Sequence, residues 1–147
     1  MGDIDILLVE DNPHDAEMIL ETLGKQDISN RVKAISDGAE AIDYLFGPDG
    51  CLAKADAHLP KLILLDLKLP KVSGLEILKR IKSDEHTRHI PVVVFTSSDE
   101  ARDRAESYRR GANSYIVKPT QAAAFSRFVA ELGTYWVSMN ITPYADS

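Results

Sequence analysis

One cysteine, Cys51, stands in the 147 residues, so no internal disulfide is available and the fold must rest on its core. A lone cysteine suits a reducing compartment, and a passive loop residue is the expected role of Cys51. No stretch approaches the roughly 20 apolar residues needed to span a bilayer. The first residues, Met-Gly-Asp-Ile-Asp, have neither the basic region nor the apolar run of a signal peptide, and position 6 is not the Ser or Thr of a myristoylation signal. A cytoplasmic location is expected. Excess basic charge is also missing: the formal net charge is −6, which argues against a phosphate-backbone partner. Internal repeats and linker composition are absent too, and His14, His58, His86 and His89 lack metal-ligand spacing and read as surface residues.

What remains is 44% apolar and 27% charged, an ordinary globular composition. Short apolar runs alternate with amphipathic stretches. Strands are expected at Ile4 to Val9, Arg31 to Ile35, Leu62 to Leu65, Val92 to Phe95 and Tyr115 to Val117. Between them, Asn12-Pro13 starts a helix with Ala16, Ile19, Leu20 and Leu23 on one face, and Gly24 stops it. Asp37 caps a second helix containing Ala41, Ile42 and Leu45. Ser73 and Glu76 form a capping-box pair ahead of Ile77, Leu78 and Ile81. The stretch 99–110 has a thin apolar face, Ala101, Ala105 and Tyr108, interleaved with the charges of Arg102, Arg104, Arg109 and Arg110. A last helix from about Thr120 is expected to bury Phe125, Phe128, Val129 and Leu132. Residues 47–58 read as a loop.

This is a βα unit repeated five times. Uninterrupted apolar strands are buried on both faces, so the sheet is parallel, covered by helices, and doubly wound. Such sheets place their chemistry beyond the carboxyl ends of the strands. The first polar residues there are Glu10 and Asp11, then Asp66, then Thr96, then Lys118 followed by Pro119. Three carboxylates at one rim repel one another, and a hard divalent cation, Mg²⁺ or Mn²⁺, relieves the crowding. Asp11 and Asp66 are the expected direct ligands, with Glu10 through water and the main-chain carbonyl of Lys68 completing the set. Asp66 is then a carboxylate nucleophile for a phosphoryl group, with Thr96 and Lys118 placed to meet its oxygens.

The runs Leu-Leu-Val-Glu10-Asp11, Leu-Leu-Asp66-Leu-Lys-Leu-Pro70 with Gly74, Val-Phe-Thr96-Ser and Lys118-Pro119 together resemble the response-regulator receiver family over positions 4 to about 132. Each motif is weak alone; order, spacing and strand context make them specific jointly. The resemblance implies a five-stranded sheet of order 2-1-3-4-5, a receiver domain over 1–132, and phosphoryl transfer from a kinase phosphohistidine to Asp66. It further implies a cis Lys118–Pro119 bond and a switch in which Thr96 moves toward the phosphoryl group and Tyr115 takes the vacated space. Lys68 and Ser98 occupy the family's two positions that tune phosphate lifetime, so that lifetime does not carry over.

The segment 37–46, the loop 47–58 and the aromatic tail together resemble small regulators paired with phytochrome-type sensor histidine kinases. Residues 133–147, with Tyr135, Trp136, Met139 and Tyr144, are expected to extend the last helix over the core or to form a homodimer surface with the last strand and helix. The dimer is preferred, since Trp and Tyr favour interfaces. A phosphoaspartate hydrolase of the haloacid dehalogenase type would need a second Asp where Lys68 stands. A flavodoxin-like cofactor binder would need a phosphate cradle where Glu10-Asp11-Asn12 stands.

Overall fold

A computed structural model describes residues 4–26, 31–48, 50 and 58–144. Cys51 and most of the loop 47–58 lie outside the described residues. Five strands, β1 (Ile6–Val9), β2 (Val32–Ile35), β3 (Leu62–Leu65), β4 (Val92–Thr96) and β5 (Ser114–Val117), alternate with five helices. These are α1 (Pro13–Gly24), α2 (Gly38–Phe46), α3 (Gly74–Ser83), α4 (Ala101–Arg109) and α5 (Ala122–Gly133). All strand pairings are parallel and the order is β2-β1-β3-β4-β5, the doubly wound arrangement expected.

The strands divide the core by side-chain alternation. Leu7, Val9, Ile63, Leu65, Val92 and Val94 face α2 and α3, where they meet Leu45, Ile77, Leu78 and Ile81. Ile6, Leu8, Leu62, Leu64, Val93 and Phe95 face α1 and α5, where they meet Ile19, Leu23, Phe125 and Val129. The helix starts hold their expected caps: Asn12, Asp37 and Ser73 accept from the backbone N–H of Asp15, Glu40 and Glu76.

Three details depart from the sequence pattern. Leu20 is 39% exposed rather than inside, and Phe128 is only half-buried. In α4 the expected inner face is the outer one: Ala101, Ala105 and Tyr108 are exposed, and Ser107 is the buried residue. The helix has no apolar stripe wide enough to dictate its rotation, so polar contacts at its ends set it instead.

Helical backbone continues past Gly133 as a π-helical segment, Thr134–Met139. Gln26 approaches Gly133 so closely that a Cβ there would lie 2.5 Å from its side-chain oxygen, and its amide donates to Ala130 O and Thr134 Oγ1. The chain then turns back under the amino ends of the strands. Lys61 Nζ donates to Val137 O at 3.4 Å and Tyr144 Oη donates to Pro60 O at 2.5 Å. Trp136 and Val137 pack with the α1/α5 half of the core, whereas Tyr144 reaches the α2/α3 half. Tyr135 and Met139 stay 47% and 63% exposed.

Candidate functional site

Backbone ladders align the strand ends. Asp66 N donates to Val9 O at 3.0 Å, and Lys118 N donates to Thr96 O at 2.7 Å, so the ends of β1, β3, β4 and β5 form one rim. Glu10, Asp66, Thr96 and Lys118 are buried there, while Asp11 is exposed. A glycine shapes the loop after β3: Gly74 packs so tightly that a Cβ would fall 2.2 Å from Asp66 O.

Glu10, Asp11 and Asp66 each bring a carboxylate oxygen within 4.8 Å of the others. Lys118 is their counter-charge. Its Nζ lies 2.8 Å from Glu10 Oε1, 2.8 Å from Asp15 Oδ2 and 3.1 Å from Asp66 Oδ2. Asp66 Oδ1 accepts from Leu67 N at 2.7 Å, and Glu10 Oε2 accepts from Asn12 N at 3.1 Å. Both carboxylates are thereby held in fixed orientation.

Three carboxylates surround one ammonium, and Asp11 adds a fourth acidic group to the rim. Burial pushes the Glu10 carboxyl up to about 7, with the Asp66 charge adding to the rise and Lys118 opposing it. Burial alone would pull the Lys118 ammonium down, but hydrogen bonds to Asp15 and Glu10 and the Asp66 charge outweigh it and hold the amine above its usual range. The rim is short of positive charge, and three clustered hard oxygens suit a divalent cation. Asp15 was not among the residues singled out from the sequence. The available signal was its place on the first turn of α1, four residues beyond Asp11, which brings it back to the same rim.

Beside this cluster, the switch candidates connect through the β4–α4 loop. Thr96 Oγ1 accepts from Ser98 N at a long 3.4 Å, and Tyr115 Oη donates to Ser98 O at 2.9 Å. Ser98 Oγ donates to Asp103 Oδ2 at 2.6 Å and accepts from Glu100 N. Ser98 therefore links Thr96, Tyr115 and the first turn of α4. Lys68 is exposed on the loop after Asp66, and His14 is exposed beside Lys118 in a cavity between α1 and the β5–α5 connection.

The cis bond expected at Lys118–Pro119 is not found: there is no cis peptide bond among the described residues. The trans form is intrinsically favoured by about 0.5–1 kcal/mol, and Lys118 reaches all three carboxylates from it.

The response regulator receiver domain model matches residues 6–130. The probable methanogenesis regulatory protein FilR2 of Methanothrix harundinacea is 40% identical over 94% of this chain and 86% of its own length. The response regulator Rcp1 of Synechocystis is 33% identical over 95% of this chain and 93% of its own. Among solved structures, the phosphorylated cyanobacterial phytochrome response regulator RcpA superposes with a TM-score of 0.86 at 38% identity, covering 97% of this chain and 99% of that one. The Mn²⁺-bound form of Rcp1 superposes at 0.85, with 32% identity over 97% of this chain and 99% of its own. Strand order, rim carboxylates and these matches converge: the chain belongs to the response regulator receiver family and is a two-component response regulator.

Proposed function

We propose that Asp66 accepts a phosphoryl group from the phosphohistidine of a sensor histidine kinase of phytochrome type. The observation that carries this reading is the Asp66 carboxylate, buried at the end of β3, clustered with Glu10 and Asp11 and paired with Lys118 at 3.1 Å. The carboxylate oxygen forms the new P–O bond as the P–N bond of the donor breaks. Lys118 Nζ neutralises one phosphoryl oxygen and the Thr96 hydroxyl donates to another. Mg²⁺, held by Glu10, Asp11, Asp66 and the Lys68 carbonyl, would offset the charge of the rim and of the incoming phosphoryl group. The chain is a phosphoacceptor in signalling rather than a hydrolase.

The phytochrome assignment is supported by likeness to RcpA, described as a phytochrome response regulator, and this reading has the protein meet its kinase in the cytoplasm. No helix among the described residues is long and apolar enough to cross a membrane. The output acts through protein contacts. Thr96 and Tyr115 bias α4, and a homodimer forms through β5, α5 and the π-helical segment, where Val117, Tyr135 and Met139 are exposed.

The test is intact mass after incubation with acetyl phosphate and Mg²⁺. One added phosphoryl group, absent with EDTA and absent in Asp66→Asn, is expected. An adduct that persists in Asp66→Asn overturns the assignment.

A further inference from the structure

A groove of about 930 Å³ runs between α1 and the edge strand β2, opening at one end onto Glu10 and Asp11. It lies on a different side of α1 from the His14, Asp15 and Met18 surface, which lines the Lys118 cavity. Its apolar lining comes from Ala16, Leu20, Ala34 and Ile35. Leu20 is 39% exposed here, an aliphatic side chain with no core to enter.

The charged lining is of one sign. Glu17, Glu21 and Glu40 join Glu10 and Asp11, and among the described residues no lysine or arginine lines the groove. Lys33, the basic residue of β2, instead places its Nζ 5.6 Å from the centre of the Tyr44 ring. Glu17 and Glu21 are a like-charge pair at i, i+4, an arrangement that costs a helix a few tenths of a kcal/mol. Neither they nor Glu40 have an ion pair among the described residues. An exposed leucine between uncompensated carboxylates is complementary to a segment carrying aliphatic side chains between cations.

We infer that this groove is a docking surface for a basic amphipathic segment of a partner protein, whose apolar side chains cover Leu20 and Ala34 while its Lys or Arg residues meet Glu17, Glu21 and Glu40. The surface does not depend on phosphoryl acceptance. Glu17, Glu21 and Glu40 keep their charge when a cation occupies the Glu10–Asp11 end, so binding persists with Mg²⁺ present.

The experiment titrates two synthetic peptides of about four helical turns into the isotopically labelled full chain in Mg²⁺ and reads amide shifts. One is an amphipathic lysine–leucine peptide; the other has glutamate at every lysine position. Shifts at Ala16, Glu17, Leu20, Glu21 and Ala34 with the first peptide only are expected. Affinity should fall about tenfold in Glu17→Lys/Glu21→Lys and about tenfold in Leu20→Asp. Unchanged amide spectra elsewhere and retained acetyl phosphate labelling would show that these variants are folded. Equal binding of the glutamate peptide, shifts spread over the acidic surface at large, or undiminished affinity in the folded variants would overturn the inference.

Discussion

Helices α3 and α4 flank the same end of the sheet and are fastened in opposite ways. Ile77, Leu78 and Ile81 of α3 are fully buried, and each is worth about 2 kcal/mol by transfer alone. α4 buries no large apolar side chain; its inward residue is Ser107, whose hydroxyl has no hydrogen-bond partner among the described residues. Its attachments are polar and sit at its two ends. Ser98 Oγ holds Asp103 at one end, and at the other Arg110 bridges Glu106 and the Leu75 carbonyl at 2.7 and 3.0 Å. An element held by a few hydrogen bonds can be released at small cost, and it is the one joined through Ser98 to Thr96 and Tyr115. The fixed helix follows the nucleophile; the loosely held one follows the threonine.

The sharpest way to break this contrast is to truncate each helix. Leu78→Ala should cost about 3 kcal/mol, whereas Tyr108→Ala, at a side chain 50% exposed, should stay within about 0.5 kcal/mol. Denaturant unfolding measures both, and equal losses would mean that α4 carries more packing than its burial indicates. Asp103→Ala removes the Ser98 contact. It should cost about 1 kcal/mol and raise hydrogen exchange in α4 while α3 keeps its protection.

Acid offers a gentler version. Hydrogen bonding from Arg110, with the charges of Arg109 and Arg110, holds the Glu106 carboxyl below its ordinary value of 4.5. A carboxyl depressed on folding contributes stability that is complete above its unfolded value and lost as pH falls through its folded one. Protection of α4 amides, measured against their intrinsic exchange at each pH, should therefore fall as pH drops below 4.5, ahead of any change in α3, and Glu106→Gln should flatten that dependence.

The same contrast explains what could be read from the sequence. Leu62 to Leu65 and Val92 to Phe95 are uninterrupted apolar runs, so their strand character, their burial and the polar residue at each end were legible. Asn12, Asp37 and Ser73 announced helix starts because capping is local chemistry. The rotation of α4 is not legible in the sequence, because Ala101, Ala105 and Tyr108 make too weak a stripe to outweigh polar contacts made through space. Asp15 escaped because its role depends on Lys118, more than a hundred positions away. The return of the tail to Pro60 likewise rests on a hydroxyl-to-carbonyl contact that no periodicity encodes.

The central claim is that Asp66 carries the phosphoryl group. Borohydride reduction of the acetyl phosphate-treated protein converts an aspartyl phosphate to homoserine, which peptide mass spectrometry can locate. Homoserine at position 66 alone, lost when EDTA is present, is the predicted result. Homoserine at Asp11, or phosphoryl incorporation with none at position 66, would contradict the account.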